Sequence, residues 1–308
     1  MKPGTPTNPA VPIKAVTLQR DALEFPALMA GDGDPVILLH GFPDCYLNWE
    51  HQIRALADQG YCAIAPALRG YAPSCQPDNN DYSLAAAVED VCHFAGQLGG
   101  HVHLVGHDWG AVVTYLAAAR SPELFRSATA LAIPPLRRLP GALLRVPEQL
   151  LLSGYMELFQ LPLVPEWLLK RDELSGVEWL WKLWSPDWDA GPYLDNACTV
   201  LAQPGVMTSA LNWYRHLPRF WTEAHKQARA WMMMPVEIPT LVMAGKKDRC
   251  MSPRLLDHTA FERDFPAGLQ VEEVAGAGHF LHLERPDRVN DLLLAHLLQC
   301  SYDEEPLA

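Results

Sequence analysis

Short apolar, β-branched runs alternate with longer amphipathic segments along most of this chain. Runs such as PVILLH and IPTLVMAG are nearly free of charge, whereas the segments between such runs space their apolar residues as a helix does. This alternation is typical of βαβ units, in which parallel strands are buried between layers of helices. The sequence therefore predicts an α/β fold around a mostly parallel sheet. The predicted strands are 35–40, 61–66, 101–106, 127–133, 238–245 and 269–274.

The alternation stops near residue 135 and resumes near residue 236. The segment 136–235 holds eight of the ten tryptophans, many leucines and prolines, and no convincing strand. We predict that it forms a helical domain over the sheet, and that residues 1–135 and 236–308 close around it as one discontinuous domain. The first dozen residues are rich in proline and threonine, and a loose tail is expected there.

Charge and cysteine content disfavour several classes of protein. The formal net charge of −12 argues against binding to nucleic acid, which needs clustered lysine and arginine. No apolar run reaches the roughly 18 residues that span a bilayer, and no signal peptide is visible. We therefore expect no membrane association and a cytoplasmic location. The seven cysteines are widely spaced without a CxxC pair, which is typical of reduced thiols.

One acidic residue follows a predicted strand at the edge where open parallel sheets bind their ligands. The motif GHDWG (106–110) comes directly after the run HVHLV and precedes a helical segment. Its spacing matches the glycine-x-nucleophile-x-glycine elbow, with Asp108 in place of the usual serine. The glycines allow a sharp turn, and the helix N-terminus favours a carboxylate. An aspartate that only caps the helix is the alternative that this motif leaves open.

Two further strand ends carry groups that suit an acid and a base. Asp248 follows the fifth predicted strand, and His279 lies in a glycine-rich loop after the last one. The order of nucleophile, acid and histidine along the chain is that of the α/β-hydrolase triad. His282 is the alternative base, but the turn before a helix, where His279 lies, suits a positioned base better. Residues 127–147 contain no Asp or Glu, so that strand end offers no competing acid.

A glycine-containing loop, HGFP (40–43), follows the first predicted strand. It can present the backbone N–H of Phe42 to the elbow, while the N–H of Trp109 begins the helix after the elbow. Two such N–H groups form the oxyanion hole of hydrolases that share this motif. We predict that Phe42 and Trp109 form the oxyanion hole and also line the substrate site.

Taken together, these segments resemble the α/β-hydrolase superfamily, and specifically its epoxide hydrolase branch. HGFPDCYLNWEHQIRALADQGY is similar to the branch's oxyanion-hole segment, RGYAPS to a loop that follows it, GHDWG to the nucleophile elbow and GAGHFLHLERPDRV to the histidine segment. The resemblance implies an α/β-hydrolase fold, with a mostly parallel central sheet flanked by helices and a helical cap inserted after the sixth strand. Ala67 and Ala72 depart from the branch's acidic residue and glycine at those positions.

Two segments of the expected cap resemble those that supply ring-opening tyrosines. SGYMELFQLP places the first at Tyr155, and LNWYRH places the second at Tyr214. With an ordinary pKa near 10, a tyrosine is protonated at neutral pH and can donate to an epoxide oxygen. The alternative is that both side chains only pack within an aromatic cap.

The resemblance implies an enzyme that converts a small apolar epoxide and water to a vicinal diol. Asp108 would form an alkyl ester that water, activated by His279 and Asp248, then hydrolyses. No cofactor is implied, and no metal is predicted because His101 and His103 have no third ligand near them in the sequence. The predicted catalytic residues are Asp108, His279, Asp248, Tyr155 and Tyr214, and the predicted substrate-binding residues are Phe42, Trp109, Tyr155 and Tyr214.

Two other functions are compatible with parts of this pattern. A haloalkane dehalogenase shares the Asp nucleophile, the histidine and the cap, but that branch usually carries Asn where Phe42 stands and needs no tyrosine pair. A non-catalytic small-molecule receptor of the same fold would tend to lose the reacting groups. Assembly as a homodimer is left open by the sequence.

Overall fold

The computed structural model describes residues 11–302, so residues 1–10 of the predicted tail lie outside the described residues. Eight strands form one sheet in the order β1-β2-β4-β3-β5-β6-β7-β8. β2 pairs antiparallel with β1 and β4, and all other neighbours pair in parallel. The strands are Lys14–Arg20 (β1), Leu23–Ala30 (β2), Pro35–Leu39 (β3), Cys62–Pro66 (β4), Val102–His107 (β5), Phe125–Leu131 (β6), Thr240–Gly245 (β7) and Leu269–Val274 (β8).

Helices follow most of the strands and also fill the long segment between β6 and β7. None of the described helices is both long and apolar enough to cross a lipid bilayer. The α-helices are Glu50–Asp58 (α1), Leu84–Gln97 (α2), Trp109–Arg120 (α3), Leu139–Ala142 (α4), Glu148–Leu152 (α5), Tyr155–Phe159 (α6), Val164–Trp184 (α7), Gly191–Leu201 (α8), Val206–His216 (α9), Glu223–Met232 (α10), Leu256–Thr259 (α11), Leu281–Glu284 (α12) and Pro286–Tyr302 (α13).

The predicted fold class is confirmed: this is an α/β-hydrolase fold with a mostly parallel sheet flanked by helices. β3 to β8 lie where the apolar runs predict strands, because strands covered on both faces read as continuous apolar segments. β1 and β2 are missing from the prediction. β1, at the sheet edge, is largely exposed or half-buried, and β2 contains Pro26, a residue that sequence reasoning takes as evidence against a strand.

The helices divide between the two faces of the sheet. α1 and α13 pack together on one face, and α2 and α3 cover the other. The core on the α2 and α3 face extends into the segment between β6 and β7, where Trp181 and Trp213 belong to the same buried cluster as Phe42 and Trp109. This segment therefore shares its hydrophobic core with the sheet.

The helices α4 to α10 occupy the segment 136–235, which follows the sixth strand as the resemblance implies. The last of them, α10, packs against α2 and α3. We propose that 136–235 is the cap domain and that 1–135 and 236–308 form the core domain, of which residues 303–308 lie outside the described part.

Candidate active site

Asp108 stands on a strained turn between β5 and α3. Its backbone has φ 52° and ψ −117°, a conformation that residues other than glycine rarely adopt. The turn also requires close backbone approach, because a Cβ on Gly110 would lie 2.2 Å from the Leu39 carbonyl oxygen. The turn directs the Asp108 side chain toward the loop after β3, and the residue is 6% exposed. The sharp strand-to-helix turn expected from GHDWG is therefore present in the structure.

The loop after β3 holds one oxygen of the Asp108 carboxylate. The Phe42 N–H donates to Asp108 Oδ1 at 2.8 Å. This approach requires glycine at the preceding position, since a Cβ on Gly41 would lie 2.3 Å from the same oxygen. Trp109 is the first residue of α3, where a backbone N–H has no partner within the helix. Both predicted oxyanion-hole donors thus flank Asp108.

His279 lies between two carboxylates. Its Nδ1 is 2.9 Å from Asp248 Oδ2, and its Nε2 is 3.6 Å from Asp108 Oδ2. The other oxygen of Asp248 accepts the N–H groups of Cys250 at 2.7 Å and Met251 at 2.9 Å. Asp248 is therefore fixed by its own loop, and it orients the His279 ring with Nε2 toward Asp108.

The two carboxylates dominate the proton affinity of His279. Complete burial lowers its pKa, but Asp248 and Asp108 outweigh that effect and raise the pKa of His279 to about 10. In the resting protein at neutral pH, His279 is therefore a buried imidazolium paired with acids on both sides.

His282, the alternative base, lies apart from this pair. Its Nε2 is 3.4 Å from Asp44 Oδ2. The His282 ring lies 4.5 Å from the His107 ring between centroids, and the His107 ring in turn lies 4.9 Å from that of His279. Burial and the neighbouring His279 lower the pKa of His282 to about 3. The structure thus brings His279, and not His282, next to Asp108.

Asp44, His107 and His282 form a second buried cluster, which we call the rear cluster. One ligand atom from each lies within 4.8 Å of the other two. Within residues 11–302, no hydrogen bond of normal geometry is made by Asp44 Oδ2, His107 Nδ1 or either ring nitrogen of His282, although His282 Nε2 faces Asp44 Oδ2. Burial raises the pKa of Asp44 to about 6. This cluster is not predicted from the sequence, although Asp44 lies in HGFPD and His107 in GHDWG.

Tyr155 and Tyr214 meet on the cap side of Asp108. Tyr155 begins α6 and is half-buried, and Tyr214 lies in α9 with 2% exposure; their ring centroids are 6.0 Å apart. The Tyr214 ring also lies 4.9 Å from that of Trp109 and 5.5 Å from that of Phe42. All four predicted substrate-binding side chains therefore belong to one aromatic cluster.

The two tyrosine hydroxyls differ in their partners. The Tyr155 hydroxyl lies 3.6 Å from Cys250 Sγ, whereas the buried Tyr214 hydroxyl makes no hydrogen bond of normal geometry with residues 11–302. Burial raises the pKa of both hydroxyls well above the usual value, and the Asp108 carboxylate adds to the effect. Both are therefore proton donors at neutral pH.

Ser185 and Glu284 support the His279 loop. Ser185, which follows α7, accepts the His279 N–H at 2.9 Å and donates to Glu284 Oε1 at 2.7 Å. The other oxygen of Glu284 accepts the Gly278 N–H at 2.8 Å. Sequence reasoning missed both residues. Glu284 lies within the segment GAGHFLHLERPDRV, but Ser185 lies in the proposed cap with no motif around it.

Known proteins similar to this chain are α/β hydrolases. Residues 36–292 match the model of the α/β hydrolase family. The chain is 33% identical to the AB hydrolase superfamily protein YfhM of Bacillus subtilis, over 86% of this chain and 91% of that protein. It is 29% identical to epoxide hydrolase A of Mycobacterium tuberculosis, over 96% and 98% of the two chains. Among solved structures, an epoxide hydrolase from an endophytic Streptomyces aligns with a TM-score of 0.78 at 27% identity, covering 92% of this chain and 95% of that one.

The chain therefore belongs to the α/β hydrolase family. The resemblance to the epoxide hydrolase branch and the prediction of a hydrolase enzyme are both confirmed by these comparisons.

Proposed function

We propose that this protein hydrolyses an apolar epoxide to a vicinal diol through an alkyl ester on Asp108. The observation that carries the proposal is the pairing of an aspartate elbow with two tyrosines, Tyr155 and Tyr214, whose rings lie in one cluster with Trp109, the residue after Asp108. An epoxide has no carbonyl group, so attack at its saturated carbon suits an ionised carboxylate. Its oxygen becomes an alkoxide, which needs a proton donor. The similarity to epoxide hydrolases supports the same chemistry.

The first step is displacement at carbon. Phe42 holds Oδ1 of Asp108, which leaves Oδ2 as the attacking atom. A bond forms between Oδ2 and the ring carbon while the bond from that carbon to the ring oxygen breaks. Tyr155 and Tyr214 hydrogen-bond the ring oxygen, and one of them transfers its proton to the developing alkoxide.

Formation of the ester changes the charge around His279. Asp108 is one of the two carboxylates that raise the pKa of His279, and an ester carries no charge. The pKa of His279 therefore falls once the substrate is attached, and the imidazolium gives up its proton, reprotonating the tyrosinate. The neutral ring can then act as a base only when there is an ester to hydrolyse.

The second step is hydrolysis of the ester. His279, oriented by Asp248, takes a proton from water as the water oxygen attacks the carbonyl carbon of the Asp108 ester. The negative charge that develops on Oδ1 is held by the N–H groups of Phe42 and Trp109, and loss of one such donor typically costs about 3–4 kcal/mol. Collapse of this intermediate breaks the bond to the diol oxygen, which takes the proton from the His279 imidazolium as it leaves. The carboxylic acid left on Asp108 then returns a proton to His279, which restores the carboxylate and the imidazolium.

The experiment that tests the proposal is a pair of assays. The purified protein is incubated with styrene oxide and, separately, with 1-bromobutane, and diol and halide are quantified by chromatography. Diol from styrene oxide without bromide release is expected. Bromide release alone would overturn the proposal, and no product from either compound would favour a receptor of this fold.

Haloalkane dehalogenation is the second candidate, because one observation favours it. The Trp109 indole Nε1 is buried next to Tyr214 and makes no hydrogen bond of normal geometry within residues 11–302, so this N–H can turn to a departing halide. Two features favour epoxide hydrolysis over dehalogenation: Phe42 stands where dehalogenases usually carry Asn, and dehalogenation needs no tyrosine pair. The bromide assay above distinguishes the two reactions.

We predict that Tyr214→Phe slows epoxide opening by about 10²-fold, the lower end of the usual contribution of a general acid, because Tyr155 remains. The rate of ester formation is measured by rapid quench and intact-protein mass spectrometry. Tyr193→Phe is the matched control, since Tyr193 is a cap tyrosine in α8 that bonds His51 outside this cluster. Equal rates for Tyr214→Phe and the wild type would remove Tyr214 from the mechanism.

A further inference from the structure

A cysteine that the proposed mechanism does not use lies among its reacting groups. Cys250 follows Asp248 in the loop after β7 and is 2% exposed. Its Sγ, one oxygen of Asp108 and one ring nitrogen of His279 all lie within 4.8 Å of one another. The same Sγ is 3.6 Å from the Tyr155 hydroxyl. The thiol therefore lies beside the two groups to which the proposed function assigns the roles of nucleophile and base.

These three side chains are ligands of the kind that zinc prefers. Thiolate sulfur, imidazole nitrogen and carboxylate oxygen bind Zn²⁺ at about 2.0–2.3 Å, which sets neighbouring ligand atoms about 3.3–3.7 Å apart in a tetrahedral site. Asp108 Oδ2 and His279 Nε2 are already 3.6 Å apart. His279 Nε2 is buried and faces Asp108 Oδ2 without a hydrogen bond of normal geometry within the described chain, so a cation that displaces its proton can bind both atoms.

We propose that Asp108, Cys250 and His279 form an inhibitory binding site for a thiophilic divalent cation such as Zn²⁺ or Cd²⁺. The cation takes one ligand atom from each residue and leaves its fourth position to water from the cavity. Binding releases the proton of the Cys250 thiol and that of the His279 imidazolium. Because the cation occupies both the nucleophile and the base, the metal-bound protein is inactive. The sulfur ligand favours such cations over Mg²⁺ and Ca²⁺.

The rear cluster is the competing location for a cation. It also offers three buried ligand atoms, but they are two imidazoles and one carboxylate, without sulfur. The two sites therefore differ in one measurable property. Only a cation at Cys250 gives the ultraviolet charge-transfer absorption of a metal–thiolate bond.

The test is a direct titration that does not depend on the proposed function. The full-length protein is titrated with ZnCl₂ by calorimetry and with CdCl₂ by ultraviolet difference spectroscopy. Cys250→Ala is expected to abolish the thiolate absorption and to weaken Zn²⁺ binding by more than about 10-fold, the least that a lost supporting contact costs a metal site. Cys198→Ala is the matched control, because Cys198 is a more exposed thiol in α8, and this variant should bind like the wild type.

Two outcomes would overturn the proposal. One is unchanged Zn²⁺ affinity in Cys250→Ala, and the other is binding that is lost in His282→Asn but kept in Cys250→Ala, which would assign the ion to the rear cluster. Binding by the wild type without activity toward epoxides would leave this site intact and count only against the proposed function.

Discussion

Replacement of Asp108 by asparagine is expected to abolish both diol formation and the covalent adduct. The amide cannot attack a saturated carbon, and no other carboxylate among residues 11–302 occupies the turn between β5 and α3. Loss of an enzyme's nucleophile typically lowers turnover by at least about 10⁴-fold. The measurement combines a diol assay with intact-protein mass spectrometry after mixing with styrene oxide.

Asp44→Asn is the matched control for this variant. Asp44 is a buried carboxylate in the neighbouring loop, and its removal leaves Asp108 in place. This control should still form the adduct, and circular dichroism should show both variants folded. Diol production by folded Asp108→Asn at a rate near that of the wild type would rule out the ester mechanism.

Replacement of His279 by glutamine is expected to separate the two chemical steps. In the proposed mechanism ester formation needs Asp108 and the tyrosines, whereas hydrolysis needs the base, so the variant should accumulate a stable adduct with the mass of one substrate molecule. Turnover should fall by about 10²–10⁴-fold, the usual contribution of general-base catalysis. The adduct is detected by intact-protein mass and located on Asp108 by peptide mapping.

His282→Gln provides the comparison for this variant. His282 is also a buried histidine, on the neighbouring helix α12, but it faces Asp44. The His282→Gln variant should therefore complete the catalytic cycle without accumulating an adduct. If the adduct accumulates in His282→Gln and not in His279→Gln, the assignment of the base is wrong.

The parts of this molecule that the sequence predicts well are those set by local pattern. Buried strands read as apolar runs, and the elbow is marked by two glycines around Asp108. The chain order then brings Asp248 and His279 to the same edge of the sheet, because parallel strands end there together. Which histidine faces Asp108 depends on how the loop turns, and the structure supplies that geometry for His279.

The parts that the sequence does not predict are set by contacts between distant segments. Ser185 meets the His279 loop only because α7 ends above it. Nothing in the sequence distinguishes Cys250 from the other six cysteines, and only the fold places it beside Asp108 and His279. The hairpin of β1 and β2 is also missed, because an exposed edge strand and a strand with Pro26 both lack the apolar signal of the central strands.

The hydrogen bond from the His279 N–H to Ser185 joins the loop of the predicted base to the segment between β6 and β7. Ser185 lies in the proposed cap, and its hydroxyl links the loop of Gly278 and His279 to Glu284. Because this acceptor is supplied by the residue after α7, a shift of that helix end would leave the His279 N–H unpaired. The position of the predicted base is thus coupled to that of a segment 94 residues away in the sequence.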